Sequence, residues 1–313
     1  MAEKIATRES YGNALVEFAP DYDFVVLDAD LAAATKTGTF KKKYPERFFN
    51  CGIAEGNMMS VAAGIAATGK TVFASSFAMF AAGRAFEQIR NSIGYPHLNV
   101  KICATHAGIS VGEDGATHQC LEDIALMRSI PGMVVVSPSD DVEAKAAIKA
   151  ALEYNGPMYI RLGRLAVPVY NDPTTYKFEL GKGICLKDGK DVTIIATGLM
   201  VDAAQNAAKA LAEEGINARV INIHTIKPLD KEIIVKAARE TGAIVVAEEH
   251  NILGGLGSAV TEVICEECPI PVLRIGTNDV FGRSGKVPPL LQMYGLTAEN
   301  IVAKAKLAIE LKK

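Results

Sequence analysis

Two of the five histidines in the chain, His106 and His118, lie in one short segment at residues 105–119, directly after a strand-like apolar run. The segment also contains glycines and the carboxylates Glu113 and Asp114. Glycine lets the backbone approach a ligand closely, and imidazole binds or transfers protons near neutral pH. Because functional side chains gather on loops that follow rigid strands, the segment predicts a polar loop that binds a small, oxygen-rich substrate.

A single carboxylate, Glu55, stands at the start of a helix-like stretch of small apolar residues. Two interpretations are open. An acid in the first turn of a helix is stabilised by the helix dipole. Alternatively, an apolar pocket keeps the carboxyl neutral, so that it donates a hydrogen bond. The residues around Glu55 favour the first interpretation, since acids are common in first turns.

One cysteine pair, Cys265 and Cys268, has the spacing found in zinc and redox sites. No second pair and no nearby histidine accompany it, and the two intervening glutamates raise rather than lower a thiol pKa. We therefore predict a structural role for the pair and no metal held by this chain. The six cysteines are scattered through apolar patterns, which predicts buried thiols.

Composition narrows the class of protein. The 313 residues are 49% hydrophobic and 22% charged, which is typical of globular domains with sizeable cores. A net charge of -3 argues against a nucleic acid or a membrane surface as partner. No apolar run approaches the ~20 residues that span a bilayer, and the N-terminus lacks the apolar core of a signal peptide. We therefore predict a cytoplasmic protein.

Short β-branched runs alternate with helix-like segments along the chain, which predicts α/β architecture with parallel sheets. The alternation breaks at a stretch rich in proline and glycine and then resumes, so we predict two domains in series, at residues 1–170 and 191–313, joined by a linker at residues 171–190. The predicted strands lie at 24–27, 71–74, 100–104, 133–136, 158–161, 192–196, 218–223, 243–247 and 272–275. The predicted helices lie at 9–18, 55–67, 77–91, 121–128, 142–153, 201–214, 231–240, 257–266 and 298–311.

Several motifs occur in one order that resembles the C-terminal part of the transketolase family. In the first domain they are Gly52-Ile-Ala-Glu55, the aromatic pair Phe77 and Phe80 after two serines, the 105–119 loop, and Ser137-Pro-Ser-Asp140. In the second they are Gly198-Leu-Met, Ile226-Lys-Pro-Leu-Asp230 and the segment 248–258. The likeness covers nearly all 313 residues. It implies a pyrimidine-binding domain followed by a transketolase C-terminal domain.

The resemblance also implies thiamine diphosphate as cofactor. Glu55 matches the glutamate that faces ring nitrogen N1′ and so assists removal of the proton from thiazolium C2. The cofactor supplies the electron sink for cleavage of the C2–C3 bond of a ketose. Phe77 and Phe80 match the aromatic pair on the pyrimidine, and Asp30 matches an acidic residue near the cofactor. An ordinary core role for the two phenylalanines remains open.

Substrate residues follow from the same resemblance. His106 would help to hold the sugar phosphate, Asp114 would contact a hydroxyl, and His118 would lie near the reacting carbonyl, where it supplies hydrogen bonds or protons. Arg8 and Arg164 match phosphate-binding arginines, with solvated surface charge as the alternative.

Two positions depart from the family pattern. Ala34 stands where complete transketolases usually carry a phosphate-binding serine, and Gly83 stands where an aromatic residue often stacks on the pyrimidine. The details of phosphate and sugar recognition in this chain are therefore expected to differ from those of complete transketolases.

Thiamine enzymes hold the diphosphate through a divalent metal on a Gly-Asp-Gly segment with a later Asn-Asn pair, and this sequence contains neither. The resemblance begins at residue 1, so we expect the C-terminal subunit of a split transketolase. A separate N-terminal subunit would hold the diphosphate and its Mg²⁺ or Ca²⁺, and this chain would self-associate in an α2β2 assembly. The expected reaction transfers a two-carbon ketol unit between sugar phosphates in the pentose phosphate pathway.

Three alternatives stay open. A subunit of a 1-deoxyxylulose-5-phosphate synthase has the same fold and cofactor, but that family places an acidic residue where this chain has His106. The β subunit of a 2-oxo-acid dehydrogenase lacks the loop with paired histidines in this form. A non-catalytic regulatory subunit is disfavoured because four site residues are all present: Glu55, His106, Asp114 and His118.

Overall fold

A computed structural model describes residues 3–312. Its strands are β1 (Lys4–Ala6), β2 (Phe24–Asp28), β3 (Phe48–Asn50), β4 (Thr71–Phe77), β5 (Val100–Thr105), β6 (Val134–Val136), β7 (Met158–Arg161), β8 (Ala166–Pro168), β9 (Ile184–Lys187), β10 (Val192–Ala196), β11 (Ala218–Asn222), β12 (Thr225–Lys227), β13 (Ile244–Asn251) and β14 (Val272–Thr277). Its α-helices are α1 (Thr7–Phe18), α2 (Ala32–Thr35), α3 (Thr37–Lys43), α4 (Glu55–Ala66), α5 (Phe86–Gln88), α6 (Asp123–Arg128), α7 (Asp141–Glu153), α8 (Met200–Glu213), α9 (Lys231–Thr241), α10 (Leu256–Glu267), α11 (Val287–Met293) and α12 (Ala298–Glu310).

The first sheet has the strand order β12-β6-β7-β5-β4-β2-β3. Every neighbouring pair is parallel except β12 with β6. Strand β5 is buried along its whole length, as expected for a strand covered by helices on both faces. Strand β12 comes from the C-terminal half of the chain, so the second domain completes one edge of the first domain's sheet.

The second sheet has the order β14-β13-β10-β11-β9, parallel except for the edge strand β9. Its central strand β10 is fully buried. The prediction of an α/β fold with largely parallel sheets is confirmed. A small antiparallel pair, β1 with β8, lies outside both sheets.

The cores differ on the two faces of the first sheet. One face carries an aromatic cluster in which the ring of Phe24 lies 5.4 Å from that of Phe40 and 5.2 Å from that of Phe73, measured between centroids. The core that contains Met58 and Met59 of α4 also contains buried residues of β10, β13 and α10. One hydrophobic core is therefore shared by the two domains.

Two sequence predictions are wrong in detail. The predicted helix at 77–91 is instead the end of β4, a π-helix at Met79–Arg84, the short helix α5 and a second π-helix at Ile89–Gly94. Of the six cysteines, only Cys103 and Cys120 are buried; Cys185 and Cys265 are exposed. In the part of the chain that the structure describes, no helix is long and apolar enough to cross a membrane.

Candidate active site

The carboxyl ends of β2, β4 and β5 position much of the candidate site. Parallel strands present these ends at one edge of a sheet, which is where open α/β sheets bind ligands. Asp30 follows β2, Phe77 ends β4, and His106 follows β5. The sheet therefore brings to one edge residues that are distant in sequence.

His106 is the most constrained residue at this edge. Its backbone has a φ of 58°, in the left-handed region that few side chains adopt. The imidazole stacks on the ring of Phe77 at a centroid distance of 3.8 Å. Its Nε2 lies 2.9 Å from Nη1 of Arg8, and its Nδ1 lies 2.9 Å from Oγ1 of Thr105.

Burial, together with the neighbouring charges of Arg8 and Arg164, lowers the pKa of His106 to about 3. The imidazole is therefore neutral at physiological pH. Because a guanidinium can only donate, Nε2 accepts from Arg8, and the single ring proton is on Nδ1, which donates to Thr105. His106 thus offers a neutral, oriented ring next to a cation.

Phe77 and Phe80 form an aromatic wall beside the second histidine. Their rings are stacked with centroids 5.9 Å apart. His118 meets the ring of Phe80 edge-on at 5.2 Å and that of Phe77 at 6.2 Å. The structure brings together all four aromatic site residues that the sequence singled out, including His106. The π-helix that carries Phe80 is of a type often found at functional sites.

Glu55 is buried, with 3% of its side chain exposed, and it begins α4. Its Oε2 accepts a hydrogen bond from Nη1 of Arg84 at 3.0 Å, and the guanidinium of Arg84 also lies 4.8 Å above the ring of Phe80. The carboxylate is thus an acceptor in an ion pair, which the sequence did not indicate. The one sequence feature that points to this ion pair is the basic residue Arg84 directly after Gly83.

The remaining predicted residues lie at the rim. Nη1 of Arg164 lies 3.8 Å from Oδ2 of Asp114 and also donates to the carbonyl of Val111. Asp30 is exposed and accepts from Nδ2 of Asn50 at 2.8 Å. Arg8 donates a hydrogen bond to His106, and the charge of Arg164 helps to lower the pKa of that imidazole. Among the described residues, Asp30 makes no hydrogen bond to either histidine.

A carboxylate of the second domain holds the histidine loop. Glu249 on β13 is buried, and its Oε1 accepts from the backbone N–H of Ser110 at 2.5 Å. A side chain at Gly108 would place its Cβ 2.4 Å from the Glu249 carboxyl, so this position requires glycine. Burial raises the pKa of Glu249 to about 7. No sequence pattern indicates this contact, which joins residues 139 apart.

A second buried network lies beside this contact. Nε of Arg161 and the hydroxyl of Tyr159 each donate to Oδ2 of Asp123 at 2.8 Å. Nη2 of Arg161 donates at 2.8 Å to the backbone carbonyl of Glu249. Since charges out of water are costly unless paired, this network fixes the first sheet against the second domain.

A cleft of about 780 Å³ lies next to the aromatic wall and between the two domains. Phe80 and Arg84 line one side, and Phe281 and Gly282 line the other. An aromatic wall beside a buried carboxylate fits an aminopyrimidine ring, which needs a stacking surface and a partner for a basic nitrogen. Among residues 3–312 no group of three or more His, Cys, Asp or Glu side chains is arranged to hold a metal.

Comparison with known proteins agrees with this domain content. The profile of the transketolase pyrimidine binding domain matches residues 3–169, and that of the transketolase C-terminal domain matches residues 181–301. A putative transketolase C-terminal section of Methanocaldococcus jannaschii is 53% identical over 300 residues, which is 95% of this chain and 94% of that protein.

Two further relatives are informative. A 6-deoxy-6-sulfo-D-fructose transketolase subunit of Clostridium sp. is 45% identical over 95% of this chain and 92% of its own length. A solved structure described as a split gene transketolase, inactive beta4 tetramer, is 55% identical and has a TM-score of 0.92 over 99% of this chain and 100% of that one. On this evidence the chain belongs to the transketolase family, as the C-terminal subunit of a split enzyme.

Proposed function

We propose that the chain is the catalytic C-terminal subunit of a transketolase that transfers a two-carbon ketol unit from a ketose phosphate to an aldose phosphate. It acts with an N-terminal subunit that holds the diphosphate of thiamine diphosphate through Mg²⁺ or Ca²⁺, in an α2β2 assembly in the cytoplasm. The observation that carries the proposal is the meeting of Glu55, the Phe77–Phe80 wall and the Arg8–His106 pair at one sheet edge.

One group of site residues contacts the cofactor and another group contacts the sugar. When bound, the cofactor supplies the electron sink for carbon–carbon cleavage. Glu55 binds the pyrimidine nitrogen, and Phe77 and Phe80 orient the ring. His118 moves protons or donates hydrogen bonds at the sugar carbonyl. His106 stays neutral and accepts a hydrogen bond from Arg8 at Nε2. This bond directs the guanidinium toward the anionic group of the sugar.

The assembly is tested by mixing the purified chain with an N-terminal transketolase subunit and measuring two-carbon transfer in a coupled assay. We expect transfer by the mixture only, and no micromolar cofactor binding by the isolated chain in calorimetry. Full activity of the isolated chain would contradict the two-subunit proposal.

The role of Glu55 is tested by Glu55→Gln in the assembled enzyme. Glutamine keeps the size of the side chain but cannot exchange a proton with the ring nitrogen. General acid–base assistance contributes about 10²–10⁴-fold, so deuterium exchange at C2 of the cofactor should slow by at least about 100-fold, before any sugar is added.

The matched control is Glu17→Gln, on the exposed side of α1, which should leave C2 exchange unchanged. If Glu55→Gln exchanges C2 as fast as the wild type, Glu55 is only a helix-start acid and the cofactor assignment fails.

A further inference from the structure

Lys36 lies in the turn between α2 and α3, next to the predicted sugar-phosphate residues. Its backbone has a φ of 69°, in the left-handed region that favours glycine. The turn is pressed against α1, because a Cβ at Gly12 would lie 2.5 Å from the Lys36 carbonyl oxygen. A glycine at position 36 would satisfy this backbone at lower cost, so backbone geometry alone does not account for a lysine there.

The side chain of Lys36 contacts α1 at the residue next to Arg8. Its Nζ lies 3.2 Å from Oε1 of Glu9, the residue that follows Arg8 on α1. Nη1 of Arg8 in turn donates at 3.0 Å to the carbonyl of Ala34, two residues before Lys36. Lys36 is also close enough to His106 to contribute to the lowering of that histidine's pKa.

The cations around His106 are incompletely neutralised by the protein. Lys36 is paired with Glu9 and Arg164 is near Asp114, but both carboxylates are at the rim, with 46% and 44% of their side chains exposed. Nε of Arg8 is buried and has no hydrogen-bond partner among residues 3–312. A buried N–H of a guanidinium without an acceptor is costly, and the incompletely neutralised positive charge around it favours an acceptor that is anionic.

Ala34 cannot complete such a site, since its side chain has no polar atom and its carbonyl already accepts from Arg8. We propose that Lys36 is the third cation of the sugar-phosphate site and binds the terminal phosphate of the sugar after leaving Glu9. The inference rests on the proposed function, whose pocket it extends. An ammonium is a compact charge on a flexible stem, which suits a residue that exchanges a carboxylate for a phosphate.

The test is Lys36→Met in the assembled enzyme, because methionine keeps the unbranched stem and adds no new strain at this φ. We expect the KM for a ketose phosphate donor to rise about tenfold, as for loss of one charge-assisted contact, with kcat within about twofold. The KM for the same ketose without its phosphate should not change. Lys36→Arg should restore the KM for the phosphorylated donor to within about threefold.

Lys42→Met is the matched control, because Lys42 is exposed on α3 and its substitution also removes one positive charge. It should leave both KM values unchanged. An unchanged KM of Lys36→Met for the phosphorylated donor would overturn the proposal. An equal rise in KM for the phosphorylated and the unphosphorylated donor would mean that Lys36 has a structural role. That result would overturn the proposal as well.

A terminal sulfonate shares the tetrahedral oxyanion chemistry but carries a single charge. A third cation favours the doubly charged phosphate. Lys36→Met should therefore raise the KM more for the phosphorylated donor than for a sulfonated donor. A larger rise in KM for the sulfonated donor than for the phosphorylated donor would overturn the assignment to phosphate.

A binding measurement separates this proposal from the proposed function. Calorimetry of the purified full chain with inorganic phosphate needs neither cofactor nor turnover, and Lys36→Met should bind phosphate about tenfold more weakly than wild type. Equal phosphate affinity would overturn the role of Lys36 even if the assembled enzyme is active. Absence of two-carbon transfer by the wild-type assembly would instead overturn the proposed function alone.

Discussion

The sheet edge that carries the candidate site and the contact between the two domains use charged residues in opposite ways. At the sheet edge, non-glycine residues adopt positive φ angles at Asp30, Lys36 and His106, and Arg84, with 55% of its side chain exposed, pairs with Glu55. At the domain contact, Asp123 and Arg161 are buried together and joined by a 2.8 Å hydrogen bond.

This difference indicates where stability and function reside. Unfavourable backbone conformations and half-exposed ion pairs persist at sites where the geometry itself is used. Breaking a buried ion pair by removing one partner is strongly destabilising. We therefore expect substitutions at the domain contact to affect unfolding, and substitutions at the sheet edge to affect binding and turnover.

The largest effect on stability is expected for Asp123→Ala. It leaves the Arg161 guanidinium buried without its carboxylate, which costs about 3–5 kcal/mol in comparable buried pairs. Urea unfolding of the purified chain measures the change. The control is Asp23→Ala, which removes an exposed pair with Lys70 and should cost at most about 1 kcal/mol. Equal losses in the two variants would remove the contrast between the regions.

A smaller, pH-dependent effect is expected for Glu249. Its pKa is raised from 4.5 to about 7 by burial, so the folded chain binds more protons than the unfolded chain between these values. The resulting stability is fully present below about pH 4.5 and is lost as the pH rises through 7. Wild type should lose on the order of 2 kcal/mol more than Glu249→Gln between pH 5 and pH 8.

Thermal unfolding at a series of pH values measures the stability of the wild type and of Glu249→Gln. Subtracting the variant's stability profile from that of the wild type removes the contribution of other titrating groups. Glu232→Gln, on an exposed side chain, should have the pH profile of the wild type. A Glu249→Gln profile parallel to that of the wild type would mean that Glu249 is not the titrating group.

The smallest effect on stability is expected for Glu55→Gln. The substitution removes the desolvation cost of a buried carboxylate together with its pair to the half-exposed Arg84, and these terms offset one another. The free energy of unfolding should change by less than about 1 kcal/mol in urea titrations. A loss of several kcal/mol would show that Glu55 belongs with the buried domain contact rather than with the sheet edge.

Regular elements were predictable from the sequence because their signal is local. The strand at 192–196 is a mostly β-branched run that the structure buries throughout, and α8 and α9 have apolar residues at helical spacing. The three-residue strand β3 and the detached strand β12 carry no such pattern. The π-helix at Met79–Arg84 has the composition of an ordinary helix, so its backbone could not be distinguished in advance.

The candidate site was predictable in its residue types and less so in its contacts. The motif order singled out His106, His118, Phe77 and Phe80, and the structure clusters their rings. The contact of Glu249 with Ser110 and the pairing of Arg84 with Glu55 depend on how separate elements meet in space. Neither follows from spacing along the chain.

The contribution of β12 to the first sheet has a consequence for how such a protein can be rearranged. Exchange of the second domain alone would remove β12 and turn β6 into an open sheet edge, which is a template for aggregation. The same exchange would remove the carboxylate that holds the histidine loop. The two domains of this chain are therefore expected to be exchanged together. Recombination should give a folded protein when both domains are transferred as one piece, and not when the junction lies between them.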